Sequence, residues 1–249
     1  MEQERSRAAR WGYRLALLAA VLAVLAILGL RMSVWDFRLS LLGLVGAAAF
    51  GSGAVLLSLF GLGRALSGKR TGAAWSLAGI AIGGVVAAPI LLAVMAGSSV
   101  PRIHDISTDL LDPPQFEKIA QGRPAGLNAL DRAAPPDLAG LQQAGYPGLG
   151  PLSVNAPVAD VFEAAVALIE ESGWELAAAS ADKGIIEATA TTMVMGFKDD
   201  LVIRLRDQPD GSTLVDMRSV SQVGESDLGA NAKRIGAFLD ALDNRLAAR

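Results

Sequence analysis

The chain contains no cysteine, which excludes disulfides, thiol nucleophiles and thiolate metal sites. It has a single histidine, His104, so a zinc site would have to draw most of its ligands from carboxylates. There is no GxGxxG turn, no complete phosphate-loop lysine motif and no HExxH pair. The lack of cysteine leaves the compartment open, because an envelope protein can dispense with disulfides.

Long stretches also lack charge. Leu15 to Leu30 is sixteen residues without an ionisable side chain, between Arg14 and Arg31. Leu39 to Gly63 and Ala73 to Gly97 are each twenty-five residues long. A helix needs about 20 apolar residues to cross the hydrocarbon core. The second and third runs meet this outright. The first is completed by Trp11 and Tyr13 at the interface, with Arg14 and Arg31 reaching outward. A cleaved signal peptide would need a small-x-small site, and none follows before Arg31. Three spans are therefore expected. With no Asp, Glu, His or Lys inside them, transport is disfavoured and the bundle reads as an anchor or assembly surface.

What charge there is divides sharply. Residues 1–100 hold nine Lys/Arg and three Asp/Glu, a net of +6, whereas residues 101–249 hold thirteen and twenty-two, a net of −9. Such a division separates a membrane part from a soluble part. An acidic soluble half argues against nucleic acid as a partner. Arg5, Arg7, Arg10 and Arg14, with Arg64, Lys69 and Arg70, flank one side of the spans, and Arg31, Arg38 and Arg102 flank the other. Basic residues favour the cytoplasmic side, so the N-terminus is expected inside. An odd number of crossings then leaves residues 101–249 outside. The expected location is a bacterial inner membrane, with an extracytoplasmic C-terminal domain. Gly43, Ala47 and Gly51, and the GxxxG pair Gly79 and Gly83, suit close helix approach and offer a surface for homo-oligomers.

Beyond the spans, residues 99–151 are rich in Pro and Gly, with Pro113-Pro114, Pro135-Pro136 and "YPGLGP", and read as an extended linker or strap. Residues 152–249 are strongly periodic. Val158, Val161, Phe162, Ala165, Leu168 and Ile169 follow helical spacing, started by Asn155 and Pro157 and stopped by Gly173. "WELAAAS" and "GIIEATATT" form a hairpin, and "DLVIRLRD" and "STLVDMRSV" a second one. Symmetric closure of the second sets Arg204 opposite Asp216, and Leu201, Ile203, Leu205, Val215 and Met217 on the buried face. A last helix begins near Ser226 or Asp227 and runs through Leu228, Ile235, Phe238, Leu239, Leu242 and Leu246. The predicted fold is a membrane-anchored α+β protein: three transmembrane helices over 1–98, a strap over 99–151, and a two-layer domain over 152–249 with two helices on one face of an antiparallel sheet. The other face carries Arg204, Arg206, Asp216 and Arg218, either solvated or covered by the strap.

"IHDISTDLLDPPQF" (103–116), "EATATT" (187–192), "GFKDDLVIRL" (196–205) and "RSVSQVGESDLGANAKRI" (218–235) resemble the family called domain of unknown function 1499. The resemblance covers residues 100–245. It implies a bacterial envelope or plastid-related domain, sometimes preceded by membrane helices, and no established activity. Gln222 stands where the family pattern suggests a basic residue, and Met193 where it is often polar or basic, which argues against an anion-gripping site.

The candidate catalytic residues are His104, Asp105 and Asp109, with Ser107 or Thr108 as the imagined nucleophile. They lie within six residues, whereas triads gather side chains from distant segments, so the favoured reading is an extended strap. Asp199, Asp200 and Arg218, with Ser219, Ser221, Asp227 and Asn231, form a candidate ligand site or polar network; ion-pair networks of this kind are commonly structural. No metal and no cofactor is expected. The leading expectation is an inner-membrane protein that presents a binding or assembly domain to the envelope. Its partners would be the lipid bilayer and an envelope protein or lipid-like ligand. The alternative is an envelope hydrolase or metal-dependent enzyme using the His104/Asp105/Asp109 and Asp199/Asp200 cluster.

Overall fold

The structure, a computed structural model, describes residues 6–68 and 70–248. Arg5 and Lys69, counted above for orientation, lie outside the described residues. The chain forms two compact units, residues 1–96 and 97–249.

The first unit holds α1 (Arg7–Arg31), α2 (Phe37–Leu66) and the greater part of α3 (Ala73–Ser98), each long and apolar enough to cross a membrane. Asp36 starts α2 by accepting the Leu39 N–H at 2.9 Å. The pattern of burial is inverted relative to a water-soluble bundle. Small residues such as Ala16, Ala19, Ala47 and Ala54 are buried, while Leu25, Leu42, Leu56, Phe60 and Val85 point outward. Helices in lipid gain nothing by hiding leucine from the solvent and associate through close backbone approach. Gly51 and Gly83 show this: a Cβ added at Gly83 would lie 2.7 Å from the Gly51 carbonyl oxygen. Gly43 faces Ala26 and Gly79 faces the Tyr13 backbone, so both small-residue series pack within the chain's own bundle. Tyr13 and Trp75 meet edge to face at 4.6 Å. Helix α3 continues through Pro89.

The second unit has the order β1 (Asp105–Ser107), α4 (Lys118–Gln121), α5 (Leu138–Gly145), β2 (Leu152–Val154), α6 (Val158–Glu171), β3 (Glu175–Ser180), β4 (Ile185–Thr191), β5 (Lys198–Asp207), β6 (Thr213–Ser221) and α7 (Ala230–Ala247). The sheet is antiparallel with order β1-β6-β5-β4-β3, and β2 shares the β1 edge of β6. Val161, Ala165, Leu168 and Ile169 from α6, and Ile235, Phe238, Leu239 and Leu242 from α7, cover one face. There they meet Leu201, Ile203, Leu205, Val215 and Met217. Trp174 stacks on Phe238 at 5.5 Å. Arg204 lies opposite Asp216, as the hairpin pattern requires.

Two features differ from the sequence expectation. Residues 99–151 belong to the same unit as the domain, because Ile103, Ile106 and Leu138 are buried in its core and β1 is a strand of its sheet. Helix α7 starts at Ala230 rather than at Ser226 or Asp227. Gly229, at φ 84°, turns the chain before the helix, and the Asp227 carboxylate accepts from the Gly229 and Asn231 N–H groups at 2.8 and 3.0 Å. Asp227 therefore serves the free N–H groups of the helix start from outside it.

Candidate functional site

The sheet face turned away from α6 and α7 is charged. Strand alternation places Asp105, Glu187, Asp200, Arg204, Asp216 and Arg218 on it, and the registers bring them into neighbouring rows. Residues following β1 cross this face. Phe116 closes over Arg218, with ring centroid and guanidinium 5.2 Å apart, and packs with Val202 and Val220.

Asp105, Glu187, Asp200 and Asp216 each have partners. Arg218 is fully buried and grips Asp105 with two bonds, Nε at 3.0 Å and Nη2 at 2.7 Å. It also donates to the carbonyl oxygens of Pro114 (3.1 Å) and Leu130 (2.6 Å), and Arg132 adds a second cation on Asp105 at 2.5 Å. Burial, together with the charge of Arg218, lowers the pKa of Arg132, against the pull of Asp105. Glu187 accepts the N–H groups of Glu117, Lys118 and Ile119, each at 2.8 Å. Asp200 pairs with Arg123 and accepts from Thr189 (3.0 Å) and Gln222 (2.9 Å). Asp216 meets Arg204 and Arg206 at 3.1 and 2.6 Å, and Asp109 reaches the same two arginines at 3.3 and 3.2 Å. Burial alone would raise the Asp109 carboxyl, but the Asp112 and Leu111 N–H groups and both guanidiniums outweigh it and hold the pKa down. Charges this deep survive only when paired and hydrogen-bonded.

A second polar group lies between the sheet and the start of α7. Arg234 pairs with Asp199 at 2.6 Å. Ser219 donates to Asn231 Oδ1 at 2.6 Å, and Asn231 Nδ2 donates to Ser221 Oγ and to the His104 carbonyl oxygen, both at 3.0 Å. Burial raises the pKa of the Asp227 carboxyl, with help from Asp199, against its two backbone bonds. Burial and Asp227 likewise raise the pKa of the Tyr146 phenol.

The sequence candidates thus fall into separate settings. Asp105 and Asp200 share the charged face, Asp199 lies on the opposite one, and Asp109 is held by Arg204 and Arg206. Among the described residues the buried His104 Nδ1 has no hydrogen-bond partner, so no bond joins it to these carboxylates. Ser107 Oγ donates to the Asp109 carbonyl oxygen, and Thr108 Oγ1 accepts the Met217 N–H. No cluster of three or more His, Asp or Glu side chains suited to a metal ion occurs among the described residues. Arg123, Arg132, Glu187 and Arg234 were missed from sequence. Three of them sit in loops or on a helix where no period marks them, whereas Glu187 stands at the head of "EATATT". An open cleft of about 270 Å³ lies beside the network, lined by Lys118, Arg123, Leu127, Thr189, Asp200 and Gln222.

These features define an α+β domain, carried on a chain with three candidate membrane helices, whose charged sheet face is sealed by its own N-terminal segment. The family model described as Protein of unknown function (DUF1499) matches residues 105–242, more than half of the chain, and the chain belongs to that family. The match begins at the first residue of β1 and so includes the sealing segment. Among curated proteins, none matches the chain.

Proposed function

We propose that the protein is a binding or assembly factor anchored in a bacterial inner membrane, with its α+β domain outside the cytoplasm. The observation that carries the reading is the pairing of the buried acids. Asp105, Asp109, Asp199, Asp200, Glu187 and Asp216 are all engaged by guanidinium or N–H groups, which leaves a rigid, charge-balanced scaffold. A cleft edged by Lys118 and Gln222 stays open to an incoming molecule. The excess of basic residues beside Arg14 and between α2 and α3 supports a cytoplasmic N-terminus. The partner would be an envelope protein or a lipid-like ligand; the Gly43/Ala47/Gly51 and Gly79/Gly83 faces are taken up within the chain's own bundle and offer no surface for self-association.

The competing reading is an envelope hydrolase or metal-dependent enzyme using His104, Asp105, Asp109, Asp199 and Asp200. It needs an imidazole oriented by a carboxylate, and among the described residues His104 Nδ1 has no such partner.

Native mass spectrometry of the full chain, extracted from its own membrane, tests the proposal. The expected result is an added mass that disappears on denaturation and is reduced in Lys118→Glu. A bare mass in every charge state, together with ester or phosphoester turnover lost in His104→Ala, would replace binding with catalysis.

A further inference from the structure

One edge of the sheet is β3, which pairs with β4 on one side and, among the described residues, with no strand on the other. Edge strands are commonly blunted by lysine, proline or a bulge. Strand β3 has neither lysine nor proline, and Glu175, Leu176, Ala177 and Ala179 are exposed. It does have a bulge, between Leu176 and Ala178. An extra residue breaks the alternation of a strand, and here the consecutive Ala177 and Ala178 line two consecutive hollows. Ala177 borders the cleft of about 270 Å³, together with Ile119, Pro124 and Leu127. Ala178 and Ser180 border a second hollow of about 220 Å³, together with Gln121, Lys183 and Ile185. Lys118 lines both, so the two hollows meet there and form one groove along β3.

Most charges lining this groove are already matched. Arg123 pairs with Asp200, Lys183 with Glu117, and Glu187 holds three N–H groups. The exposed Lys118 side chain alone among them has no hydrogen bond or ion pair among the described residues. Extended peptides add to a free strand edge through main-chain hydrogen bonds, while pockets beside the edge take alternate side chains. Ala177, Ala178 and Ala179 keep that edge clear of bulky groups, so a second backbone can approach. Ile119 and Leu127 make the first hollow suit an apolar side chain, and the unmatched ammonium between the hollows suits a carboxylate. Glu117, Gln121, Ser180 and Lys183 give the second hollow polar walls, which suit a peptide better than an acyl chain.

We propose that the groove along β3 binds an extended, acidic peptide segment of a partner protein. The segment adds as a further strand beyond β3, with a carboxylate at Lys118 and an apolar side chain against Ile119 and Leu127. This occupant rests on the proposed function, in which the cleft is a binding site. The full chain in detergent micelles is screened against a displayed library of random heptapeptides. Enrichment of Asp or Glu beside apolar residues is expected, and Lys118→Glu should turn the preference to Lys or Arg. That exchange keeps the Lys118 N–H on Glu187, so the segment stays fixed to the sheet. The most enriched peptide is then synthesised with N-methyl groups on one or the other set of alternate amides. In a ladder only one set faces β3, so one methylated peptide should bind about ten-fold or more weaker and the other little changed. Equal binding of the two methylated peptides, or no acidic preference in the unaltered chain, overturns the added strand. A lipid-sized mass retained in native mass spectrometry would then leave the cleft as a binding site with a different occupant. No retained mass and no enriched peptide overturns the binding reading and the added strand together.

Discussion

Arg218 is the largest fully buried side chain among the described residues, and it is a cation. It is kept there by Asp105, two carbonyl oxygens and the face of Phe116. Removing one member of a buried ion pair leaves the other uncompensated, which typically costs about 3–5 kcal/mol. Arg218→Ala is therefore expected to destabilise the domain by about that amount, while Asp105→Asn with Arg218→Met recovers part of the loss. Unfolding followed by Trp174 fluorescence, with Trp11, Trp35 and Trp75 replaced by Phe, measures both. Two carboxyls should shape the pH profile with opposite signs. An unfolded Asp titrates near ~3.9. Folded Asp227 binds its proton more tightly than that, so its contribution falls as pH rises from the unfolded value through the raised folded one. Folded Asp109 binds its proton less tightly, so its contribution is present above the unfolded value and lost as pH falls through the depressed one. Asp227→Asn should remove the first dependence and Asp109→Asn the second, read as unfolding midpoints across acid pH. The Arg204–Asp216 pair was legible because both residues lie on strands of period two. Arg123 and Arg132 were not, since a loop arginine carries no periodicity to show which carboxylate it will meet.

Among the elements, the segment between β1 and α5 is held to the sheet by side chains more than by regular structure. Glu187 alone fixes three consecutive N–H groups of that segment. Hydrogen bonds to a charged group contribute about 1.5–3 kcal/mol each. Glu187→Ala is expected to raise amide exchange across residues 115–122 by ten-fold or more, with α6 and α7 unchanged. Hydrogen exchange with mass readout checks this, and uniform exchange across the domain would mean that Glu187 stabilises the whole fold rather than the seal. Helices α6 and α7 and the two hairpins were readable because their apolar periods are long and clean. Strand β1 was not. Three residues are too few to show alternation, two of them are aspartate and serine, and histidine and threonine flank them. Its place at the edge of β6 depends on Ile103 and Ile106 finding the core, a tertiary event with no local mark. The same holds for the start of α7, where Asp227 looks like an N-cap but bonds around Gly229 instead.

At the scale of the whole molecule, the three long apolar helices were the most legible part of the sequence, because uncharged runs of this length have few other uses. The inverted burial of α1 and α2, small residues within and large ones outward, agrees with that reading. The side of the membrane on which the domain works is the claim from which the proposed partner draws its meaning. Single-cysteine variants on the cysteine-free chain address it directly. Ala125→Cys marks the domain, and Ser67→Cys marks the connection between α2 and α3, both at exposed positions. In sealed, right-side-out membrane vesicles treated with a membrane-impermeant maleimide, Ala125→Cys should be modified at once, and Ser67→Cys only after permeabilisation. Protection of Ala125→Cys with immediate labelling of Ser67→Cys would place the domain in the cytoplasm and contradict the proposed function.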